Sequence, residues 1–172
     1  MEQALENLIK DINSKQKTLY ILCGMPYSGK TYIAEKILRY TQCKYISIDE
    51  IFAAHGYDWS RNKLPDEAAW KGIFGIASSR TRMALEDSLN VLYDSTNHTR
   101  QSRDDLRKIA GESGADAAVI YVDAPVPKVY ERWEENRSGK TRPVIDKELL
   151  DTTIRAFEPP GKDEKVIIIK NQ

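Results

Sequence analysis

The chain has 172 residues, enough for one domain that buries a core without disulfides or a structural metal. Its 26 basic residues balance 26 acidic ones, so the net charge is zero, which argues against a surface that is basic throughout and built for nucleic acid. A local basic patch stays compatible with this balance. The two cysteines, Cys23 and Cys43, match neither a zinc-ligand spacing nor a C-x-x-C redox motif, so we expect structural thiols and a reducing, cytoplasmic location.

The N-terminal segment predicts a helix that packs against the rest of the protein. Leu5, Leu8, Ile9 and Ile12 recur at helical spacing and form an apolar stripe. Charged residues interrupt this stripe, so the segment lacks the apolar core of a targeting signal. No apolar stretch reaches the roughly twenty residues that span a bilayer, and we expect no membrane association.

The most informative motif follows the first apolar run, 19–23. Eight residues match G-x-x-x-x-G-K-[ST], the phosphate-binding loop (P-loop, or Walker A motif): Gly24, Met25, Pro26, Tyr27, Ser28, Gly29, Lys30 and Thr31. The glycines let backbone N–H groups surround a polyphosphate, Lys30 carries a charge for the outer phosphates, and Thr31 offers a hydroxyl to Mg²⁺. A buried strand before the loop and a helical pattern after it, with Ile33 and Ile37, supply the context that the motif requires. The sequence therefore predicts nucleotide binding here.

Apolar runs alternate with helical patterns along the rest of the chain, which is typical of an α/β fold. The runs cover 45–48, 91–93, 119–122 and 166–169, and helices are predicted near 66–88, 100–112, 126–137 and 146–157. Asp146 is a candidate cap for the last of these helices. The alternation predicts a parallel sheet with helices on both faces and right-handed crossovers.

Acidic residues follow three of the runs, at the edge where parallel strands end and ligands bind: Asp49, Asp94 and Asp123. Asp94 is our first choice for the acid that holds Mg²⁺ together with Thr31, because phosphoryl transfer needs the metal. Asp123 is the competing candidate, although Pro125 favours a turn role there. Each acid has an alternative role as a turn former or helix cap.

Asp49 is interpreted as the base that accepts the proton of an attacking hydroxyl. The residues directly after it are expected in a substrate-facing loop, within an acceptor-side segment at about 50–66. In this segment Tyr57 and Trp59 either stack on a base or sugar of the acceptor, or only pack against other side chains. Two histidines lack companions at metal-ligand spacing and receive no role: His55 and His98.

Basic residues between 128 and 142 predict a mobile lid, at about 128–145, over the nucleotide. Arg137 follows Trp133 by one helical turn, so we expect it to point toward the phosphates and to stabilise the transferring group. Arg132 lies about a quarter turn or more away around the helix and either contacts the nucleotide or faces solvent among glutamates. A second basic stripe either receives a substrate phosphate or forms an exposed, ion-paired face: Arg100, Arg103 and Arg107.

In combination, these motifs resemble the P-loop kinases related to polynucleotide 5′-hydroxyl kinases, a group that also includes many small ATP-binding proteins. The resemblance covers nearly the whole chain. It is carried by Gly24 to Thr31, Ile48-Asp49-Glu50, Asp94-Ser95-Thr96-Asn97, Arg132 to Arg137 with Arg142-Pro143-Val144, and Phe157-Glu158-Pro159-Pro160. The first element is specific to nucleoside triphosphate binding, and the others are specific only together.

The resemblance implies a three-layer α/β/α P-loop NTPase fold, with a five-stranded parallel sheet in the order 2-3-1-4-5 and one kinase domain over 1–172. It also implies ATP and Mg²⁺ as cofactors, Asp49 as the acceptor base, and Arg132 or Arg137 as lid contacts. It leaves the acceptor open among a polynucleotide 5′-hydroxyl, a nucleoside-like compound, a sugar and an antibiotic. The neutral charge and the absence of a phosphatase or ligase partner domain weaken a role in nucleic-acid repair.

The sequence therefore predicts a phosphotransferase that moves the γ-phosphate of ATP to a hydroxyl acceptor. The alternative is a nucleotide-dependent switch or scaffold that hydrolyses ATP without a second substrate. A lid and a base such as Asp49 favour transfer, because they suit a reaction from which water is excluded.

Overall fold

The computed structural model describes residues 2–139 and 143–172 of the chain. Helices α1 to α7 cover Glu2–Ser14, Lys30–Tyr40, Ile48–Ala54, Glu67–Glu86, Arg100–Glu112, Val126–Gly139 and Lys147–Arg155. Strands β1 to β5 cover Thr18–Cys23, Lys44–Ser47, Val91–Asp94, Asp116–Asp123 and Val166–Lys170, and a 3₁₀ turn at Lys162–Glu164 precedes β5.

The strands form one parallel sheet in the order β2-β3-β1-β4-β5. Leu19 of the central strand β1 pairs with Val91 on one side and with Ala117 on the other. The order 2-3-1-4-5 and the α/β P-loop NTPase fold are therefore confirmed. Because β1 is central, the loop that follows it opens in the middle of the carboxyl edge, where ligands bind in such sheets.

Helices cover both faces of the sheet. Leu19 and Ile21 of β1 pack with residues of α3, α4 and α5 on one face. Tyr20 and Leu22 pack with α1 and α2 on the other, because successive strand residues point to opposite faces. The predicted N-terminal packing helix is confirmed, since the apolar stripe of α1 contributes buried residues to this second cluster.

The residues after β2 form a helix, α3, and the prediction of a loop directly after Asp49 is wrong. The helix begins at Ile48, which the apolar pattern assigns to the preceding strand. Ser47 caps the helix, since its hydroxyl accepts a hydrogen bond from the Glu50 N–H at 3.2 Å. Asp49 and Glu50 in the first turn add a favourable interaction with the helix dipole. Apolar periodicity alone does not reveal so short a helix, which spans 7 residues.

The four longer helices that the sequence predicts are confirmed, and their observed bounds lie within about two residues of the predicted ones. Asp146 caps α7 as predicted, because its carboxylate accepts a hydrogen bond from the Glu148 N–H at 2.7 Å. Thr99 caps α5 in the same way, at 3.2 Å from the Ser102 N–H. Because Thr99 caps α5, Asp94, five residues before it, is not the cap of that helix.

Candidate active site

The P-loop connects β1 to α2. Gly29 precedes α2 with a φ of 99°, a conformation that residues with a side chain rarely adopt. In the described part of the chain no side chain caps α2, so the positive end of its dipole suits an anion. The Gly24 N–H donates to the Thr96 carbonyl at 3.2 Å and joins the loop to the segment after β3.

Lys30 lies across the loop to which it belongs. Its Nζ donates to the carbonyl oxygens of Gly24 and Met25, both at 3.0 Å. The Ser28 hydroxyl is buried and has no hydrogen-bonding partner among the described residues. A buried hydroxyl that makes no hydrogen bond lowers the stability of the folded protein. The Lys30 charge and the Ser28 hydroxyl both fit a loop that an anionic ligand completes.

Asp94 ends β3 next to the strand that carries the P-loop. The Tyr45 hydroxyl donates to its Oδ2 at 2.7 Å. Burial raises the pKa of the Asp94 carboxyl above its ordinary value of 3.8, while the charge of Lys30 and the Tyr45 hydrogen bond oppose this rise. A carboxylate that has lost much of its water is stabilised by a nearby cation.

The two residues predicted to hold Mg²⁺, Thr31 and Asp94, line the same cavity. Within the described ranges, no group of three or more His, Cys, Asp or Glu side chains could hold a metal ion. A hydroxyl and a carboxylate nevertheless suit Mg²⁺, which usually binds substrate phosphates and waters rather than an all-protein cage. The competing acid, Asp123, accepts a hydrogen bond from the Tyr121 hydroxyl at 3.1 Å, and it is not among the described lining residues.

The cavity has a volume of about 620 Å³ and is shared by the P-loop and the predicted acceptor side. Lys30 and Thr31 line it, and so does Asp49 in the first turn of α3. The Trp59 indole N–H donates to Asp49 Oδ1 at 3.4 Å. The structure thus brings the predicted acceptor base into one cavity with the predicted phosphate-binding residues.

Five aromatic residues from α3, α4 and the segment between them line the cavity and form what we call the aromatic wall: Phe52, Tyr57, Trp59, Trp70 and Phe74. Phe52 stacks on Trp59 with ring centroids 4.7 Å apart and on Trp70 at 5.6 Å. Trp70 stacks on Phe74, whose side chain is 45% exposed, at 5.7 Å. Trp59 therefore packs against a neighbouring ring and also lines the cavity, and its stacking on an acceptor stays a prediction.

The two histidines differ in their relation to the cavity. His98 lines it, and burial lowers the pKa of the imidazole below its ordinary value of 6.5, which favours the neutral form. His55 lies on α3's C-terminal side, with Nδ1 at 2.8 Å from the Ile51 carbonyl oxygen. Neither position assigns a chemical role to the ring.

The two predicted lid arginines lie on different sides of α6. Arg132 Nη1 donates to the carbonyl oxygens of Tyr27 and Ser28, each at 3.3 Å. Arg137 Nε donates to the Glu134 carboxylate at 3.0 Å, and the Arg137 side chain is 56% exposed. The predicted orientation of Arg137 toward the phosphates is therefore not observed, and Arg132 contacts the loop instead. Arg142, also part of the predicted lid, lies outside the described residues.

The buried stripe of α6 explains this difference. Val129, Trp133 and Asn136 are buried, so the stripe continues from Trp133 by three residues to Asn136 rather than by four to Arg137. Arg132 is three residues after Val129 and four before Asn136, which places it beside the stripe. A search for apolar residues at helical spacing misses this stripe because one of its buried members, Asn136, is polar.

Two contacts with the site come from residues that the sequence patterns do not single out, Tyr45 and Asn171. Asn171 Nδ2 donates to the Ser28 carbonyl oxygen at 2.7 Å. Asn171 directly follows β5, so the rule that ligand-binding residues follow parallel strands would have found it had it been applied to amides as well as acids. Tyr45 reaches Asp94 because β2 and β3 pair in a register that aligns Ser47 with Asp94.

Comparison with known proteins places this geometry in a family. Residues 18–166 match the family model described as Chromatin associated protein KTI12. The chain belongs to the KTI12 family. It is 29% identical over 150 residues to the Protein KTI12 homolog of Oryza sativa subsp. indica, which covers 84% of this chain and 48% of that protein. It is 30% identical over 148 residues to the L-seryl-tRNA(Sec) kinase of Methanococcus maripaludis, covering 83% of this chain and 53% of that protein.

The KTI12-family chain thus spans about half the length of these two curated relatives. Among solved structures it is similar to Chaetomium thermophilum Kti12 in complex with ADP-AlF3, with a TM-score of 0.63, 20% identity and 88% of each chain covered. It is also similar to a chain of the Pnkp1/Rnl/Hen1 RNA repair complex, with a TM-score of 0.71 and 22% identity over 83% of this chain and 44% of that one. These likenesses establish the P-loop NTPase fold, and the Kti12 structure among them holds ADP-AlF3.

Among the helices within 2–139 and 143–172, none combines the length and the apolar character needed to span a bilayer.

Proposed function

We propose that this KTI12-family chain is an ATP-dependent phosphotransferase, which moves the γ-phosphate of ATP to a hydroxyl acceptor. The observation that carries the proposal is a single cavity lined by Lys30 and Thr31 of the P-loop and by Asp49 with the aromatic wall. The cavity extends from the P-loop to residues of α3 and α4 that are not part of the loop, which suits a second substrate, whereas hydrolysis requires only a water. The similarity to an L-seryl-tRNA(Sec) kinase supports the assignment.

In the proposed reaction, Lys30 and the loop amides bind the phosphates, and the Asp49 carboxylate takes the proton of the acceptor hydroxyl. The acceptor oxygen bonds to the γ-phosphorus while the bond from that phosphorus to the oxygen retained by ADP breaks. Mg²⁺, held with the help of Thr31 and Asp94, supplies charge neutralisation at the phosphates when it is bound. Arg137 can act on the transferring group after leaving Glu134, and an exposed ion pair of this kind costs little to break.

The residues that line the cavity narrow the range of possible acceptors. Lys30 is the single lysine or arginine among the described residues that line it, so within the described residues the acceptor side offers no such side chain to a phosphate or carboxylate. The aromatic wall instead offers ring faces, which bind flat, uncharged groups. Within the range of acceptors that the sequence allows, we therefore favour a ring-bearing hydroxyl compound such as a nucleoside-like molecule over an acidic sugar.

A second candidate function follows from the family itself. The matching family is described as chromatin-associated rather than as a kinase, which favours a nucleotide-dependent switch or scaffold. Such a protein would bind ATP at the same P-loop and hydrolyse it slowly, with partner proteins or RNA in place of a phosphate acceptor. In that case the Asp49 carboxylate would have no acceptor proton to take.

The deciding experiment measures transfer of labelled γ-phosphate from ATP with Mg²⁺ to a panel of hydroxyl compounds. The panel contains nucleosides, 5′-hydroxyl oligonucleotides, neutral and acidic sugars, and aminoglycosides. We expect one class to be labelled, with transfer reduced by about a hundredfold or more in Asp49→Asn, because a positioned base contributes that much. Glu50→Gln, a neighbouring acid of α3 that does not line the cavity, is the matched control and should transfer as the wild type does.

A different result would favour the second candidate. If no acceptor is labelled, and slow ATP hydrolysis proceeds at the same rate in the wild type and in Asp49→Asn, the phosphotransferase is contradicted. The P-loop would then serve a switch or scaffold.

A further inference from the structure

Two side chains hold the P-loop from its carbonyl side. Asn171 Nδ2 donates to the Ser28 carbonyl oxygen at 2.7 Å, and Arg132 Nη1 donates to the same oxygen at 3.3 Å. Arg132 Nη1 also lies 3.3 Å from the Tyr27 carbonyl oxygen. Arg132 Nη2 in turn donates to Asn171 Oδ1 at 3.2 Å, so the two residues are joined to each other as well as to the loop. We call this pair, Arg132 and Asn171, the loop clamp.

Each half of the loop clamp is fixed by its own element. The Asn171 N–H donates to the Asp123 carbonyl oxygen at 2.8 Å, which continues the pairing of β4 with β5 beyond the last strand residue. Arg132 stands beside the buried stripe of α6. The loop clamp therefore ties the P-loop to the end of β5 and to α6, two elements that are far from it in the sequence.

Gly29 makes room for the loop clamp. A Cβ atom at Gly29 would lie 2.3 Å from Asn171 Nδ2 and would displace the amide from this position. The glycine of the P-loop motif thus serves two purposes in this chain. Its φ of 99° allows the backbone to turn, and its missing side chain allows the Asn171 amide to reach the Ser28 carbonyl.

The position of the loop clamp has an electrostatic consequence. In a trans peptide the C=O and the following N–H point in opposite directions, so donors on the Ser28 carbonyl lie behind the Gly29 N–H. A hydrogen bond to a carbonyl polarises its peptide unit and strengthens the N–H as a donor, all the more when the bond comes from a guanidinium. The Gly29 N–H stands at the N-terminal end of α2, where phosphate binds in P-loops.

We propose that Arg132 and Asn171 are positioning residues, which shape and polarise the P-loop from behind rather than touch the phosphates. The proposal rests on the proposed nucleotide site. It differs from the role given to a lid arginine, which contacts the γ-phosphate directly and only while that phosphate is present. A residue that acts through the loop affects ADP and ATP alike, since both present phosphates to the same amides.

The test measures the affinity of Mg²⁺·ADP and of a non-hydrolysable Mg²⁺·ATP analogue by titration calorimetry. We expect Arg132→Ala and Asn171→Ala each to weaken the binding of both ligands by a similar factor of about tenfold, because each variant removes a donor from the Ser28 carbonyl. The double variant should lose less than the product of the two factors, because the residues are joined in one network. Arg132→Lys should restore part of the affinity, since an ammonium reaches one carbonyl but not the fork of partners.

Two controls match the chemistry of the variants. Arg82→Ala removes an arginine from an exposed ion pair with Glu112, and Asn13→Ala removes an amide that donates to the Tyr40 carbonyl. Both should bind nucleotide as the wild type does. Urea unfolding of every variant identifies those that have lost their fold, and amide exchange of Ser28 and Gly29 reports on the loop in the others.

Each possible outcome decides the proposal. Loss of affinity for the ATP analogue with unchanged affinity for ADP would overturn it in favour of direct γ-phosphate contact. Wild-type affinity for both ligands in folded variants would overturn it in favour of a purely structural pair. If the wild type binds neither nucleotide, the proposed function fails together with this inference, whereas the other two results leave the proposed function standing.

Discussion

Arg103 of α5 and Glu164 of the 3₁₀ turn form an ion pair from which water is excluded, with 0% and 1% of their side chains exposed. Arg103 Nε donates to Glu164 Oε2 at 2.8 Å and Nη2 donates to Oε1 at 3.1 Å. Arg103 Nη1 also donates to the Asn97 carbonyl oxygen at 3.0 Å, and Asn97 Nδ2 donates to the Leu22 carbonyl oxygen at 2.6 Å. The pair therefore braces the segment that follows Asp94 and β3 against β1.

This arrangement predicts a large loss of stability when one partner is neutralised. Glu164→Gln keeps the shape of the side chain but leaves the Arg103 guanidinium buried without its counter-charge. We expect the free energy of unfolding, measured with urea, to fall by about 3 kcal/mol or more. Asp163→Asn is the matched control, because it removes an adjacent acid from an exposed ion pair with Arg100. Equal, small losses in the two variants would contradict the bracing role.

The same pair predicts how stability depends on acid pH. Burial alone would raise the pKa of the Glu164 carboxyl, but hydrogen bonds from Arg103 and from the Gly161 N–H outweigh it and hold the pKa below the ordinary 4.5. A carboxyl with a lowered pKa contributes stability that is present above the unfolded value and is lost as pH falls through the folded value. We expect the wild type to lose stability in urea unfolding as pH falls below about 4.5, and Glu164→Gln to lose less over the same interval. Parallel curves for the two proteins would refute this account.

Asp94 is expected to affect the pH dependence of stability in the opposite direction to Glu164. Because burial raises its pKa, the folded state binds this proton more tightly than the unfolded chain does, so its contribution to stability falls as pH rises from 3.8 through the raised pKa. We expect Asp94→Asn to raise the free energy of unfolding at pH 7 by about 1 kcal/mol while it weakens Mg²⁺-dependent nucleotide binding. Asp105→Asn, at an exposed position of α5, should change neither quantity. A less stable Asp94→Asn would show that the carboxylate is structural.

Removing the Lys30 side chain is expected to weaken nucleotide binding without unfolding the protein. Its ammonium donates to two carbonyl oxygens of its own loop, and a phosphate is a stronger partner for an ammonium than a neutral carbonyl. Lys30→Ala should therefore weaken Mg²⁺·ATP binding about 10- to 100-fold in calorimetry. Lys36→Ala, on the same helix with its ammonium 5.5 Å from the centroid of the Tyr32 ring, is the control. Unchanged affinity in Lys30→Ala would exclude the P-loop as the nucleotide site.

Features written in local patterns could be predicted from the sequence. The P-loop motif consists of eight consecutive residues, and the β-α alternation follows from apolar spacing, so both could be read locally and both agree with the structure. The strand order came from the family resemblance and also agrees. Caps such as Asp146 are also local, since the partner N–H lies two residues away. The acids at strand ends share an edge for topological reasons, which is why Asp49 and Asp94 line one cavity.

Features that depend on distant contacts were decided by the tertiary structure. Helical periodicity alone did not decide which of Arg132 and Arg137 faces the P-loop. Arg132 faces it because a buried asparagine sets the packed face of α6 and because the Ser28 and Tyr27 carbonyls, 104 and 105 residues away, accept its hydrogen bonds. Within the basic stripe of α5, Arg103 forms a buried ion pair because Glu164, 61 residues away, folds onto it. The charge of an arginine is written in the sequence, but its partner is set by whichever opposite charge or carbonyl the fold brings within about 3 Å.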